Sequence, residues 1–396
     1  MGARPHLSPS LAALMSAAAA LAPEAHAQTA TGAETDSRVS YRFNDYSEDS
    51  LAPGPHLGDP ERYRVLSQQF QLATRAGSES AIDVSATHEV MSGSSPWYLL
   101  RGPDNRPIQV MSGATIQEHR NEVRASWTQG AGTSSSTTWS ASYSQERDYR
   151  ATALGVERSV PLGDALTLGY GGSFSHDLID PFEAEKYDRV RHEDKNSASA
   201  FGSLAWVIDR ASVLQTGLQL NVEHGYLSDP YKLVSVGSSL VDDLRPDRRV
   251  QAAWLARYRR AFSAADAALH VDYRYAQDSW GIVSHTVEAA WFQTLPSRWE
   301  LVPSLRYYSQ QQARFYAPYF VDAGSHNFYS SDYRLGTFGA LSASFNLRKR
   351  IGKWEFSGGV ERYHAATDYA LGGADAVVPG VVSYTRAFIG LDYLLQ

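Results

Sequence analysis

The sequence predicts an all-β protein, a single transmembrane antiparallel β-barrel of about 16 strands with short periplasmic turns and long outer loops. Three observations predict this fold. Segments of about ten to fourteen residues alternate apolar and polar side chains; short and long connections between them alternate along the chain; and aromatic residues collect near the segment ends.

Composition narrows the class of protein further. The chain has 396 residues, 36 Lys and Arg against 43 Asp and Glu, and no cysteine. Disulfide scaffolds, cysteine-ligated metals and thiol nucleophiles are therefore excluded. The net charge of -7 argues against a nucleic-acid partner, which normally needs a basic surface for the phosphates.

The N-terminus has the pattern of a secretory signal. An apolar run over 11–22 is followed by a small-x-small site ending at Ala27, so residues 1–27 are expected to be a cleaved signal peptide. Residues 28–36 are expected to form a periplasmic segment and residues 37–396 the barrel. No later window of about 18 apolar residues could form a helical span.

Alternation then predicts each strand in turn. Leu218 and Leu220 share one face of a segment while Gln219 and Asn221 share the other, as expected for a strand between lipid and water. The predicted strands cover 37–46, 62–75, 80–91, 116–129, 136–147, 149–160, 165–175, 196–208, 212–224, 248–262, 266–277, 282–294, 299–311, 336–348, 352–364 and 382–395.

The connections between these strands alternate in length. Links after most even-numbered strands are short turns, such as 209–211 and 295–298, whereas most links after odd-numbered strands are long. Outer-membrane barrels show this alternation, with turns on the periplasmic side. The fourth link is slightly long for a turn, and the fifth and eleventh are short for outer loops.

A secreted β-sandwich or solenoid is the competing fold, because alternation alone fits it. Sandwich strands average about five or six residues, roughly half the length of these segments. Aromatic residues near segment ends also favour a membrane barrel, where they anchor the interfaces. These residues are Trp127, Trp139, Trp206, Trp291, Trp299, Trp354 and Tyr393.

Several motifs resemble those of one bacterial outer-membrane family. The run from Asp272 to Thr286, DYRYAQDSWGIVSHT, is the most recognisable, with further matches at 92–96, 227–232, 245–249 and 306–310. The family is known only as a domain of unknown function, numbered three-five-seven-zero. The resemblance spans the chain from about residue 41 to its end; it implies an outer-membrane barrel and no catalytic residues.

The last strand carries an imperfect version of the barrel-assembly signal. Gly390 and Tyr393 keep the usual spacing, but Leu395 stands where an aromatic residue is common and Gln396 follows it. The barrel-assembly machinery is expected to be a partner through this strand, together with outer-membrane lipid and lipopolysaccharide.

No constellation in the sequence predicts catalysis. Asp278, Trp280, Ser284 and His285 resemble a hydrolase set, but adjacent residues on a strand point to opposite faces, so Ser284 and His285 cannot bond to each other. They are expected to form a rim cluster that joins two strands. The acidic stretch 176–196 matches no calcium-loop spacing and is expected to be a solvated outer loop. No catalytic, cofactor-binding or metal-ligating residue is expected.

The inward face is expected to carry charges of both signs. Such a mixture predicts no ion selectivity, and leaves open a water-filled pore or a bore filled by a salt-bridge network, in which removing Arg274 or Arg306 would strand Asp272 or Glu288. The candidate lumen-lining residues are Arg257, Asp272, Arg274, Glu288, Arg306, Glu355, Arg386 and Asp392.

Three functions follow from this reading. The first is a channel for small hydrophilic solutes in the outer membrane of a Gram-negative bacterium. The second is a closed barrel that acts as a receptor, scaffold or export partner for periplasmic proteins, and the third is an outer-membrane enzyme, although no enzymatic activity is expected. Neither the substrate nor the oligomeric state can be derived from the sequence.

Overall fold

Sixteen antiparallel strands close into one barrel in the computed structural model of the chain. The structure describes residues 37–51, 56–112, 116–322, 326–374 and 377–395. The predicted signal peptide (1–27) and periplasmic segment (28–36) lie outside the described residues. The first and last strands pair along their whole length, from Arg38 opposite Leu394 to Glu48 opposite Tyr384. The predicted barrel of about 16 strands is confirmed.

Each barrel strand pairs with the strands before and after it in the chain. The strands are β1 Arg38–Glu48, β2 Arg64–Arg75, β3 Ser80–Gly93, β4 Ile116–Gln129, β5 Ser136–Gln145, β6 Tyr149–Pro161, β7 Leu166–Ile179, β8 Glu193–Asp209, β9 Ser212–Gly225, β10 Arg248–Phe262, β11 Ala267–Asp278, β12 Val283–Leu295, β13 Trp299–Gln310, β14 Phe338–Ile351, β15 Trp354–Ala366 and β16 Tyr384–Leu394.

Two strands are longer than their sequence pattern predicts. Strand β7 continues past 175 to Ile179, and β8 begins at Glu193 instead of 196. The polar residues there suggest a loop, yet Asp177 pairs with Lys195 in the ladder and the two side chains form an ion pair at 3.1 Å. Cross-strand charge pairing therefore extends the hairpin beyond its apolar part.

The connections divide the barrel into two ends. Turns at 76–79, 130–135, 162–165, 210–211, 263–266, 296–298 and 352–353 lie at what we call the turn end. The other links lie at the loop end and are numbered loop 1 (49–63), loop 2 (94–115), loop 3 (146–148), loop 4 (180–192), loop 5 (226–247), loop 6 (279–282), loop 7 (311–337) and loop 8 (367–383).

The loops contain short regular elements that alternation did not predict. His56–Leu57, Pro107–Met111 and Pro96–Arg101 form a small sheet. Leu233–Val236 and Ser239–Asp242 form a hairpin in loop 5. Short 3-10 helices occur at Ala184–Tyr187, Ser263–Ala265, Pro296–Arg298, Tyr333–Leu335 and Thr367–Tyr369. No helix in the described part of the chain is long and apolar enough to cross a membrane.

The outer face of the barrel is apolar and has an aromatic girdle at the turn end. Trp127 and Trp139 are direct cross-strand partners, and the rings of Trp354 and Tyr393 lie 4.6 Å apart. Leu218, Leu305 and Ile389 are exposed on this face. A folded barrel presents such a band to lipid tails.

Candidate functional site: the bore and its cap

The register of the strands sets which side chains enter the bore. Leu218 on the outer face is 65% exposed, so its neighbour Gln219 points inward, because side chains alternate along a strand. In β10 to β13 one inward row runs through Arg257, Asp272, Glu288 and Arg306, each opposite the next. Predicted lumen-lining residues on four strands thus become neighbours around the wall.

The inward side of β10–β16 and β1–β4, which we call the charged half, carries ion pairs between adjacent strands, such as that of Arg120 in β4 with Glu89 in β3. Arg306 Nε lies 2.8 Å from Glu288 Oε2, and Asp272 accepts hydrogen bonds from Arg259. Further pairs join Arg257 to Asp272, Arg348 to Glu355 and Glu300, Arg386 to Glu361, and Arg42 to Asp392. The pairs lie within the wall instead of bridging the bore.

Arg274 differs from these residues. It occupies the next inward row, opposite Leu255 and Thr286, and its side chain has no hydrogen bond or ion pair with any residue the structure describes. Asp272 is held by Arg259 and Arg257, and Glu288 by Arg306. The expectation that loss of Arg274 would strand one of these carboxylates is therefore wrong.

The inward side of β5–β9, which we call the small half, is rich in small residues, although Glu157, Phe201 and Glu223 also face inward there. Its inward positions include Ser140, Gly155, Ser173 and Ser199, which are cross-strand neighbours in turn, and Gly217 opposite Ser203. Ser140, Ser173 and Gln219 face inward and are nonetheless exposed. Side chains do not fill the bore along this wall, and a barrel of about 16 strands is wide enough to hold water there.

At the loop end the bore is covered by loops 1, 2, 5, 6, 7 and 8, which we call the cap. Its interior contains a charge cluster from loops 5 and 7: Asp229, Lys232, Asp243, Arg245, Asp332 and Arg334, all buried or nearly so. Arg245 contacts Asp243 at 2.6 Å and Asp332 at 2.9 Å, and Arg334 contacts Asp229 at 2.7 Å. The cluster holds three acids and three bases and is neutral.

Burial and pairing act in opposite directions on the acids of this cluster. Burial alone would raise the pKa of Asp332, which is 1% exposed, but Arg334, Lys232 and Arg245 hold that pKa well below its ordinary value. The pKa of Asp229 is lowered by the same three cations against the effect of burial. Both carboxylates are therefore charged at neutral pH, and the cluster is held by ion pairs.

Hydrogen bonds join the cap loops to one another. Arg62 of loop 1 donates to the Gly380 carbonyl of loop 8 at 2.8 Å, and Lys232 of loop 5 donates to the Pro96 carbonyl of loop 2 at 2.6 Å. Loop 6 contributes Trp280, which packs in an apolar cluster with Phe315 and Leu335 of loop 7. The cap is consequently one connected layer.

Loop 3, above the small half, contains two buried carboxyl groups, Glu146 and Asp148. Burial and the neighbouring Asp148 raise the pKa of Glu146 to about 8. Burial raises the pKa of Asp148 to about 7, although its hydrogen bond from Tyr231 of loop 5 acts the other way. Arg120 is the nearest cation to Glu146, at 3.7 Å, too far for a hydrogen bond.

The predicted rim cluster is divided between the two faces of the wall. Asp278 accepts hydrogen bonds from the Trp280 and Ile282 amides and pairs with Arg249 at 2.5 Å, so it closes the β11–β12 link. Ser284 lies on the inward face and His285 on the outward face, where its Nδ1 lies 2.8 Å from the Tyr273 hydroxyl. Ser284 and His285 thus do not contact each other through their side chains, as alternation requires.

The cap charge cluster was not a sequence prediction. Asp229, Arg245 and Asp332 lie in polar stretches that suggest solvated loops, and their burial depends on loops about ninety or more residues apart meeting. No group of three or more His, Asp or Glu in the described residues, the acidic stretch 180–192 included, is arranged to hold a metal ion.

A closed antiparallel barrel of sixteen strands with an apolar outer face defines the class of the protein: it has the fold of outer-membrane β-barrels. The chain belongs to the family described as "Protein of unknown function (DUF3570)", whose model matches residues 11–388. The resemblance seen in the sequence is thereby confirmed.

Solved structures share this fold at low sequence identity. CdiB from Acinetobacter baumannii aligns with a TM-score of 0.50 and 8% identity, over 91% of this chain and 60% of CdiB. The siderophore receptor PirA from Pseudomonas aeruginosa aligns at 0.42 and 10% identity, over 90% of this chain and 61% of PirA. OccK5 (OpdH) from Pseudomonas aeruginosa aligns at 0.42 and 8%, over 91% and 98%.

These similarities concern the fold alone. The chain spans about three fifths of the length of PirA and CdiB. No relative of the chain was found among curated proteins.

Proposed function

We propose that the protein is a channel for small hydrophilic solutes in the outer membrane of a Gram-negative bacterium, closed at its loop end by the cap. The observation that carries this proposal is the exposure of inward-facing Ser140, Ser173 and Gln219 in the small half. A barrel that served only as a rigid scaffold would be expected to fill this space.

The cap is the gate in this proposal. Its charge cluster links loops 5 and 7, and removing one partner of a buried ion pair leaves the other uncompensated. Arg334→Ala removes the cation shared by Asp229 and Asp332, and should therefore loosen the cap without touching the barrel strands. Arg191→Ala, which removes an exposed pair with Glu185 in loop 4, is the matched control.

Single-channel recording in planar bilayers tests the proposal. The wild-type protein and the Arg191→Ala variant should show rare or brief openings, and Arg334→Ala should show sustained openings of larger mean current. Limited proteolysis of loop 7 would verify that the cap has opened. A folded Arg334→Ala protein with an open cap and no conductance would overturn the channel.

A closed barrel that acts as a receptor, scaffold or export partner is the second candidate. It is favoured by the continuity of the cap, in which Arg62, Lys232 and Tyr319 each bond to another loop. A folded Arg334→Ala protein that has an open cap and no conductance would favour this second candidate.

Orientation follows from the same proposal. Loops should face outward toward lipopolysaccharide, turns should face the periplasm, and assembly should proceed through the last strand, Tyr384–Leu394. A tag inserted at Asp188 should be reached by antibody on intact cells, whereas one at Ser297 should require permeabilised cells. Labelling of Ser297 in intact cells would reverse the orientation.

A further inference from the structure

The guanidinium of Arg274 is unpaired among the described residues. It is half-buried in the inward face of β11, above Asp272 in the same strand. Five N–H donors with no partner among the described residues are unusual at such a position, because a guanidinium removed from bulk water normally gains hydrogen bonds.

The neighbourhood of Arg274 has an excess of positive charge. Strands β10–β13 place Arg257, Arg259, Arg274 and Arg306 on one stretch of wall with only two carboxylates, Asp272 and Glu288. The net charge of this stretch is +2. Arg257 adds a second incomplete group, because its Nε is buried without a hydrogen bond and lies 3.7 Å from Asp272.

Hydroxyl groups lie beside this excess charge. Thr286 and Tyr308 follow Arg274 in the same inward row, and Ser284 lies in the next row toward the loop end. The Tyr308 hydroxyl donates to Gln310 at 2.6 Å and so retains acceptor and stacking capacity beside Arg274.

We propose that Arg274, with Arg257 beside it, forms an anion-binding subsite in the bore for a small solute that carries a carboxylate or a phosphate. A guanidinium binds either group through two parallel hydrogen bonds. The substrates of the channel are then small solutes with an anionic group. This inference rests on the proposed channel function, because the solute reaches Arg274 through the bore.

Equilibrium binding tests the subsite without requiring conductance. Purified protein in detergent is titrated with inorganic phosphate, and separately with acetate, by isothermal titration calorimetry. Wild-type protein should bind at least one of the two saturably, and Arg274→Ala should bind about tenfold or more weakly, since a charged hydrogen-bonding group is lost. Arg274→Lys keeps the positive charge but loses the parallel N–H donors of the guanidinium, so its affinity should lie between those of the wild-type protein and Arg274→Ala.

Arg350→Ala is the matched control, because Arg350 is an exposed arginine on the inward phase of β14 at the turn end. It should bind as the wild-type protein does. Unchanged binding in Arg274→Ala, or equal losses in Arg274→Ala and Arg350→Ala, would overturn the subsite. Circular dichroism of each variant verifies that the barrel has folded.

The two proposals fail in different ways. Conductance in the cap-opened protein without saturable binding of either anion would overturn the subsite and leave the channel. Saturable binding that depends on Arg274 in a protein that never conducts would overturn the channel and leave an anion site inside a closed barrel.

Discussion

The two halves of the bore keep the interior polar by different means. In the charged half long side chains lie along the wall and neutralise one another between adjacent strands, as Arg306 and Glu288 do. In the small half Ser140 and Ser173 leave the space empty. The small half therefore contributes open space to the bore, and the charged half contributes most of its ion pairs.

The largest expected effect tests which face of the small half meets lipid. Leu218→Arg places a charge on the outer face of β9 and should reduce the free energy of unfolding by about 2 to 4 kcal/mol. Gln219→Arg places the same side chain in the bore and should change it by less than about 0.5 kcal/mol. Urea titrations in lipid vesicles measure both, and equal losses would contradict the assignment of the faces.

A smaller effect is expected where the small half needs glycine. A Cβ on Gly171 would lie 2.5 Å from the Val156 carbonyl oxygen and 2.8 Å from the Phe201 ring. Gly171→Ala should therefore cost about 1 to 3 kcal/mol of unfolding free energy. Gly202→Ala meets nothing within 4 Å and serves as the control; a similar loss there would mean that contact of the new Cβ is not the cause.

Two arginines of the charged half should differ in the same titration. Arg306→Ala leaves Glu288 without its partner and should cost about 1 kcal/mol, a modest value because Arg306 is 38% exposed. Arg274→Ala leaves no carboxylate unpaired, so its cost should be below about 0.5 kcal/mol. A larger loss for Arg274→Ala than for Arg306→Ala would show that Arg274 has a structural partner.

The smallest effect, confined to the loops, is a response to pH that has opposite signs over the two halves. Over the small half, Glu146 and Asp148 have folded pKa values of about 8 and 7, above their ordinary values of 4.5 and 3.8. The folded loop binds more protons, so its stability should fall as pH rises from about 4 to 8.

Over the charged half, the stability of the loops changes with pH in the opposite direction. Because their pKa values are lowered, Asp229 and Asp332 stabilise the cap charge cluster above their ordinary value of 3.8, and this contribution is lost as pH falls below it. Burial raises the pKa of the third acid, Asp243, which therefore acts in the opposite direction. Proteolysis of loops 3 and 4, which contact each other through Arg147 and the Phe182 ring, should accelerate as the pH rises to about 8 in the wild-type protein but not in the Glu146→Gln, Asp148→Asn double variant. Loop 7 should become sensitive only in acid. Acceleration that persists in the double variant would assign the response elsewhere.

The barrel could be predicted from the sequence because its periodicity is local. The alternation of Leu218 with Gln219 is visible within one strand, and link length separates the two ends except at loops 3 and 6, which are as short as the turns. The cap could not be predicted, because Asp229 and Arg334 are buried only where loops 105 residues apart meet. The pairing of side chains in the bore could not be predicted either. Alternation places both Arg274 and Arg306 on the inward face, but only the strand register shows that Arg306 lies opposite Glu288 and that Arg274 has no carboxylate opposite it.

The bonds that close the cap have a consequence for the order of assembly. Arg62 of loop 1 reaches the Gly380 carbonyl of loop 8, 318 residues away, and Arg362 of strand β15 pairs with Asp49 of loop 1 across 313 residues. Contacts of such high sequence separation form slowly unless other structure first brings the segments together. Here that structure is the seam between β1 and β16, so we expect the cap to acquire protection from hydrogen exchange only after the seam has closed, as the final kinetic phase of folding.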